Sequence, residues 1–218
     1  MIRPFGWGEF LYIAEMLRWT LALSAIAFGG GMIGGLIIAL MRVADRPGLR
    51  VFATGFIRVF QGTPLLMQLF LVFFGLNISG LPINPWIAAA VALTLHASAF
   101  LGEIWRGCII AVPKGQREAA TALGLNYADR MRFITLPQAT RIAVAPTVGF
   151  LVQLIKGTSL ASIIGFTELT RAGQIINNAT FKPFLVFGTV AAFYFLLCWP
   201  LSILARRMET RFSRATTR

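Results

Sequence analysis

An all-α integral membrane protein of about five spans is the fold class this sequence predicts, and three observations carry it. Hydrophobic residues fill 57% of the 218 positions and charged ones only 13%, with a mean hydropathy of +0.74. That is too apolar for an ordinary soluble domain, and the apolar residues are too clustered for one buried core. Five runs are long enough to cross a hydrocarbon layer of about 30 Å, which takes roughly 20 mainly apolar residues in a helix. Finally, the basic residues behind the net charge of +12 gather between alternate runs.

The first run, 17–41, follows a mixed-charge start containing Glu9 and Glu15. Its length and the lack of a cleavage pattern argue against a removed signal peptide. Inside it, Gly30/Gly34 and Gly31/Gly35 stand four apart, the spacing that lets helix backbones touch in lipid. A phosphate cradle is the sharper reading of such glycines, but no Gly-Lys-Ser/Thr follows, so the sequence has no Walker A motif.

The second run, 51–76, is interrupted at Thr63-Pro64. Proline removes an N–H from an apolar helix, which is tolerated where hydroxyls, water or neighbouring helices satisfy the freed carbonyl, so a kink at Pro64 is expected. Gln68, one turn on, is a candidate lining residue of a translocation cavity, and a packing kink without substrate contact fits equally.

In the third run, 87–110, His96 and Glu103 lie seven apart on one helical face, but one imidazole and one carboxylate do not make a metal site. His96 is read as structural or pathway-lining. Glu103 and Arg106, at i and i+3, pair as an anchor. Cys108 and Cys198 are far apart in sequence and are read as ordinary apolar packing.

A polar segment of about 112–137 separates the third and fourth runs. Residues 116–123 are good helix formers ending at Gly124, which takes a left-handed cap without a Cβ penalty. Asn126 can accept from a first-turn N–H, with Asp129 three residues on, and Tyr127, Met131 and Ile134 share a face. A second short helix follows, which Pro137 either closes or leaves behind by opening the next. Two short helices about a glycine turn would present a small knob, with Ala119 and Ala120 allowing close approach and Glu118 offering a charge. A solvated helical loop without a partner fits the same spacing.

The fourth run, 142–165, is interrupted by Lys156. A charge deep in a bilayer costs about 2.5 to 3.5 kcal/mol on insertion scales, so Lys156 should face a wet cavity or a partner. With the hydroxyls of Thr158 and Ser159 it either shapes a substrate route near a substrate carboxylate or locks helices together. The fifth run spans 184–204.

Fifteen of the 20 basic residues fall on one side of this arrangement: Arg42, Arg46, Arg50 and Arg58; Arg106, Lys114, Arg117, Arg130, Arg132 and Arg141; Arg206, Arg207, Arg211, Arg214 and Arg218. By the positive-inside rule those loops and the C-terminus are cytoplasmic and the N-terminus is outside. The charge thus records topology and attraction to anionic lipid, not nucleic acid, whose partners interleave basic residues with stacking aromatics on a soluble face.

The run Glu118-Ala119-Ala120, with Gly124, Ile134 and Leu136-Pro137 at their spacings, resembles without a gap the EAA loop of binding-protein-dependent ABC importer permeases. Further matches to the polar amino acid branch are Gly62-Thr63-Pro64-Leu65-Leu66 before Gln68, Glu103 with Arg106-Gly107, Gly115-Gln116, and Lys156 with Thr158-Ser159-Leu160. They keep the expected order over most of the chain. Two positions depart: Gln61 stands where that branch usually has Arg, and Gly149 where it often has Asn.

The resemblance implies a single permease domain, 1–218, in a bacterial inner membrane, similar to the histidine, arginine, glutamine and cystine systems. Two such subunits, identical or paralogous, would form the pathway. A dimer of ATP-binding cassette ATPases would dock on the coupling loop, and an extracytoplasmic binding protein would deliver the amino acid. ATP and Mg belong to the partner, and no cofactor is assigned to this chain. Rival classes are a secondary transporter or channel, which needs its own coupling groups, and a membrane adaptor that only docks an ATPase. No HExxH, GxSxG or intramembrane acid/base pair supports a hydrolase.

Overall fold

Helix α1, Trp7–Val43, begins ten residues before its apolar run because Glu9 accepts the Gly6 N–H at 3.0 Å and closes the first turn. At 1.5 Å per residue it is about 55 Å long, well beyond the hydrocarbon thickness. The structure, a computed structural model, describes residues 4–216, with side chains to residue 210. The tail arginines Arg211, Arg214 and Arg218 lie outside the described side chains.

The glycines of α1 pack on α4, Pro85–Ala111. A Cβ at Gly30 would meet Thr94 Cγ2 at 2.7 Å and one at Gly35 would meet Leu101 Cβ at 2.8 Å, while Gly31 and Gly34 press as closely on Ala97 and Ser98. Both expected glycine pairs therefore mark one seam. The partners' numbers rise together along it, so α1 and α4 run parallel, and the chain must return across the layer between them.

That return is made by α2, Pro47–Gly62, and α3, Leu65–Ile78, which meet at 104°. Neither helix, about 24 and 21 Å long, crosses the layer alone. The kink expected at Pro64 is a full break. Thr63 takes an extended conformation (φ −115°, ψ 142°), as a residue before proline must when the ring blocks the helical region. The carbonyls freed at the end of α2 are taken up locally: Thr63 Oγ1 donates to Val59 O at 2.7 Å, and Gln68 Nε2 to Phe60 O at 2.7 Å and to Thr63 O at 3.0 Å.

After α5, Lys114–Ala122, the chain turns at Gly124 and enters α6, Tyr127–Asp129. A wider π turn, Arg130–Thr135, joins α6 to α7, Leu136–Gly157, and a 3-10 stretch, Thr158–Ile164, continues it. The segment from Tyr127 to Ile164 is one unbroken rod, so the separate second helix of the expected knob is the first turns of a span. Pro137 opens α7 without interrupting it. A wider turn suits a residue that has no N–H to give to the preceding turn.

Helix α8, Leu169–Thr180, is not among the five apolar runs. Its twelve residues carry only one apolar face, with Leu169, Ala172 and Gly173 buried. Phe181 makes the left-handed turn (φ 51°) into α9, Pro183–Thr216. Helix α7 runs antiparallel to α4, with Phe100 on Phe150 and Trp105 bonded to Thr147. The start of α9 packs beside the start of α1, where Val186 and Val190 join Ile13 and Met16. Among the described residues four helices are long and apolar enough to cross a membrane, and the return that parallel α1 and α4 require makes the bent pair the fifth span. The ends of α1, α4 and α9 and the start of α7 thereby share one face of the protein, and most of the basic residues with described side chains lie there.

Candidate functional site

At the basic face, α5 stands off the bundle. Its end is locked by two backbone bonds, Gly124 N to Thr121 O at 2.9 Å and Leu125 N to Ala120 O at 3.1 Å, with Gly124 at φ 77°. This is the left-handed cap that Gly124 predicts. Asn126 Oδ1 accepts the Asp129 N–H at 2.9 Å, starting the next turn as expected. Arg130 ties the two sides of the turn by donating to Thr121 Oγ1.

Ala120 faces inward and is 3% exposed, whereas Glu118 and Ala119 face out. Leu123, at the tip, is 80% exposed. The later residues of the loop pattern lie at the entry to α7: Ile134 and Leu136 are half-buried and Pro137 is exposed. The phenol of Tyr127 reaches back to Val43 O at 3.3 Å, joining the knob to the end of α1. Behind it, Arg106 grips Glu103 through Nε at 2.8 Å and Nη2 at 2.5 Å, and Arg42 of α1 stands 4.0 Å from the same carboxylate. The expected Glu103–Arg106 pair is thus also an α1–α4 contact.

Halfway along α4, the structure brings together two residues that the sequence named separately. His96 Nδ1 lies 3.0 Å from Gln68 Oε1, while the Gln68 amide nitrogen holds the broken end of α2. The imidazole also lies against Phe100, ring centroids 4.5 Å apart. Gln68 is buried, whereas His96 is only half-buried.

Lys156, Thr158 and Ser159 sit elsewhere, at the end of α7. Thr158 is fully buried and donates to Ile155 O at 2.7 Å, and Ser159 donates to Lys156 O at the same distance. Both hydroxyls stabilise the passage from α-helix to the tighter 3-10 turn and leave Lys156 as the charged group on the open face. Among the described residues Lys156 has no ion-pair partner. Pro146, Gly149, Gln153 and Lys156 follow at i, i+3, i+7 and i+10, and three of these four are exposed. Among the described residues this stripe of α7 is left largely open.

One polar cluster, centred on Glu168, escaped the sequence reading. Its carboxylate is fully buried at the opposite face of the protein. Oε1 accepts the Arg171 N–H at 3.0 Å, capping α8, and Oε2 accepts from Tyr194 of α9 at 2.8 Å and from Thr20 of α1 at 3.4 Å. Burial pushes the carboxyl above the ordinary glutamate range. The legible signal was an acidic N-cap ahead of an amphipathic turn, Glu168 followed by Leu169, Ala172 and Gly173.

A family profile described as the binding-protein-dependent transport system inner membrane component matches residues 20–218. The glutamine transport system permease protein GlnP of Escherichia coli (strain K12) is 34% identical over 207 residues, covering 94% of each chain. The L-cystine transport system permease protein TcyB of Bacillus subtilis (strain 168) is 36% identical over 199 residues, 91% of this chain and 85% of that one. A chain from the crystal structure of an amino acid ABC transporter with histidines superposes with a TM-score of 0.86 at 36% identity, covering 92% of this chain and 94% of that one. The inward-facing MetNI methionine ABC transporter has the same fold, with a TM-score of 0.81 at 21% identity and coverage of 95% and 99%.

Proposed function

Because this chain belongs to the family of binding-protein-dependent transport system inner membrane components, and so is a permease subunit of an ABC transporter, we propose that it imports polar amino acids. Its relatives named for glutamine and L-cystine, and the amino acid transporter fold, support that substrate class. The observation that carries the coupling role is the knob: an apolar tip, Leu123, and an outward Glu118 on a helix whose end is fixed by its own backbone. A partner docked on this helix would cover that leucine and face that carboxylate. Two ATPase subunits grip it from the cytoplasm, ATP and Mg stay with them, and this chain performs no hydrolysis. The N-terminus is outside, which the five-crossing path and the basic face support.

A second permease subunit, identical or paralogous, covers the open α7 stripe, so that Lys156 and His96 border a route fed by an external binding protein. Nucleotide shifts that route between states only if the knob binds the ATPase pair with different affinity in each. Reconstituted uptake of radiolabelled amino acids, with and without ATP and companion subunits, tests the proposal. Uptake without the ATPase would instead mark a secondary carrier, and ATPase binding without flux an adaptor. Lys156→Met should abolish uptake in an assembled complex; failure to assemble would assign the lysine to a helix lock. Labelling from outside of a cysteine placed at Gly124 would overturn the orientation.

A further inference from the structure

Two cavities meet at Ile109 of α4. The first, about 500 Å3, opens at the basic face behind α5 and is edged by Arg42, Lys114, Arg117 and Arg130 against only Asp45 and Glu118. The second, about 430 Å3, runs up between α1, α4 and α7 and is walled by side chains such as Met32, Leu36, Ala139 and Val144. Ile109 lines both, and Thr135 of the first is followed in sequence by Leu136 of the second. The two spaces are therefore consecutive along α4 and α7.

Their chemistry is complementary to one class of molecule. In the basic cavity, four cations face two anions. Arg42 Nε is buried without a hydrogen-bond partner, since the nearest carboxylate, 4.0 Å away, is already engaged by Arg106. In the trough, the Thr140 hydroxyl donates to Leu136 O and Thr147 Oγ1 accepts the Trp105 N–H, and the remaining walls are mainly apolar side chains. An unbalanced positive pocket at the membrane surface, beside a mainly apolar groove that shares the wall residue Ile109, matches a phosphate joined to an acyl chain.

We propose that this composite pocket seats one anionic phospholipid, its phosphate among Arg42, Arg117 and Arg130 and one chain along the trough. The proposal rests on the transport reading only for which leaflet supplies the lipid. Lying on the inner side of α5, the lipid braces the knob against α1 and α4 and makes the stiffness of that contact depend on lipid charge.

The test uses the complete transporter, with its ATPase subunits, in phosphatidylcholine nanodiscs containing a rising share of phosphatidylglycerol, and counts retained phosphatidylglycerol by native mass spectrometry. One should be held per copy of this chain. Arg42→Gln and Arg130→Gln should each weaken retention about fivefold, the contribution of one basic side chain near a charged surface. Thr140→Trp, which fills the trough at constant charge and does not touch the arginines, should weaken it as well. Arg141→Gln removes the same charge from the exposed start of α7 and should change nothing. Equal loss in Arg141→Gln would overturn the proposal in favour of diffuse surface attraction, as would retention that none of the variants alters. Cross-linking of Val144→Cys to a second permease subunit would overturn it by filling the trough with protein. If the orientation alone were wrong, cysteine labelling at Gly124 would report it while lipid retention stayed the same.

Discussion

At the α1–α4 seam, glycines bring two helices to a separation where a methyl group no longer fits, whereas at the end of α5 nothing lies within 4 Å of the place where a Cβ on Gly124 would stand. The first glycines are required by a neighbour and the second by its own backbone, held at φ 77°. The difference separates two mechanical parts. A seam with no slack moves as one body, because close-packed interiors are bistable or rigid and do not deform continuously. The knob owes its shape to caps and takes its packing from what it meets.

Breaking the seam should have the largest effect. Gly35→Leu drives a side chain into Leu101 and Gly102 and is expected to cost about 3 kcal/mol, at the upper end of overpacking, read as a fall in the thermal midpoint or loss of the assembled complex. Gly29→Ala, six residues earlier on the same helix with open space around it, should stay within about 0.5 kcal/mol. Equal losses would erase the distinction between a packed and an unpacked glycine.

The Glu168 cluster sharpens the comparison at the opposite face, since there polar groups hold α1, α8 and α9 together. Glu168→Ala leaves Tyr194, Thr20 and the Arg171 N–H without their shared acceptor and should cost about 2 kcal/mol. The pH dependence follows from the raised pKa of the carboxyl. Its contribution is complete below the ordinary glutamate value and falls as pH rises through the higher native value, because the unfolded chain releases the proton first. Thermal unfolding of the assembled complex over a pH series should show this decline in the natural protein and a flatter profile in Glu168→Gln.

At the knob, Gly124→Ala should cost about 1 to 2 kcal/mol, the strain of a left-handed L-residue, paid locally at an exposed turn. Thermal stability should fall modestly while ATP-dependent uptake falls strongly. The smallest structural effect belongs to Glu118→Ala, which removes an exposed side chain and should leave stability within about 0.5 kcal/mol. A pull-down of the ATPase subunits should nevertheless weaken. Unchanged binding in both variants would move the docking surface away from α5.

Several local features could be read from residues because their causes are local. Gly124 ends α5, Asn126 starts the next turn, Glu103 reaches Arg106 at i+3, and Pro64 excludes a continuous helix. The size of the break at Pro64 was not legible, since it depends on Gln68 folding back to satisfy carbonyls of the preceding helix. Nor was α8, whose twelve residues fall below the length that marks an apolar run. The Thr158 and Ser159 hydroxyls looked available for a substrate, yet the change to 3-10 geometry turns them onto their own backbone.

By itself, the sequence determined that the chain lives in lipid, where its long apolar spans lie, which face is basic, and which segment stands apart as polar. These follow from transfer free energy and short-range sterics, which act on each stretch of chain separately. Only the tertiary structure decided that α1 and α4 run parallel, that Gln68 meets His96, that Glu168 ties three helices, and that a basic cavity lies beside an apolar trough. Each of these depends on contacts between residues far apart in the chain. No local preference encodes such contacts, and they exist only once the helices have packed.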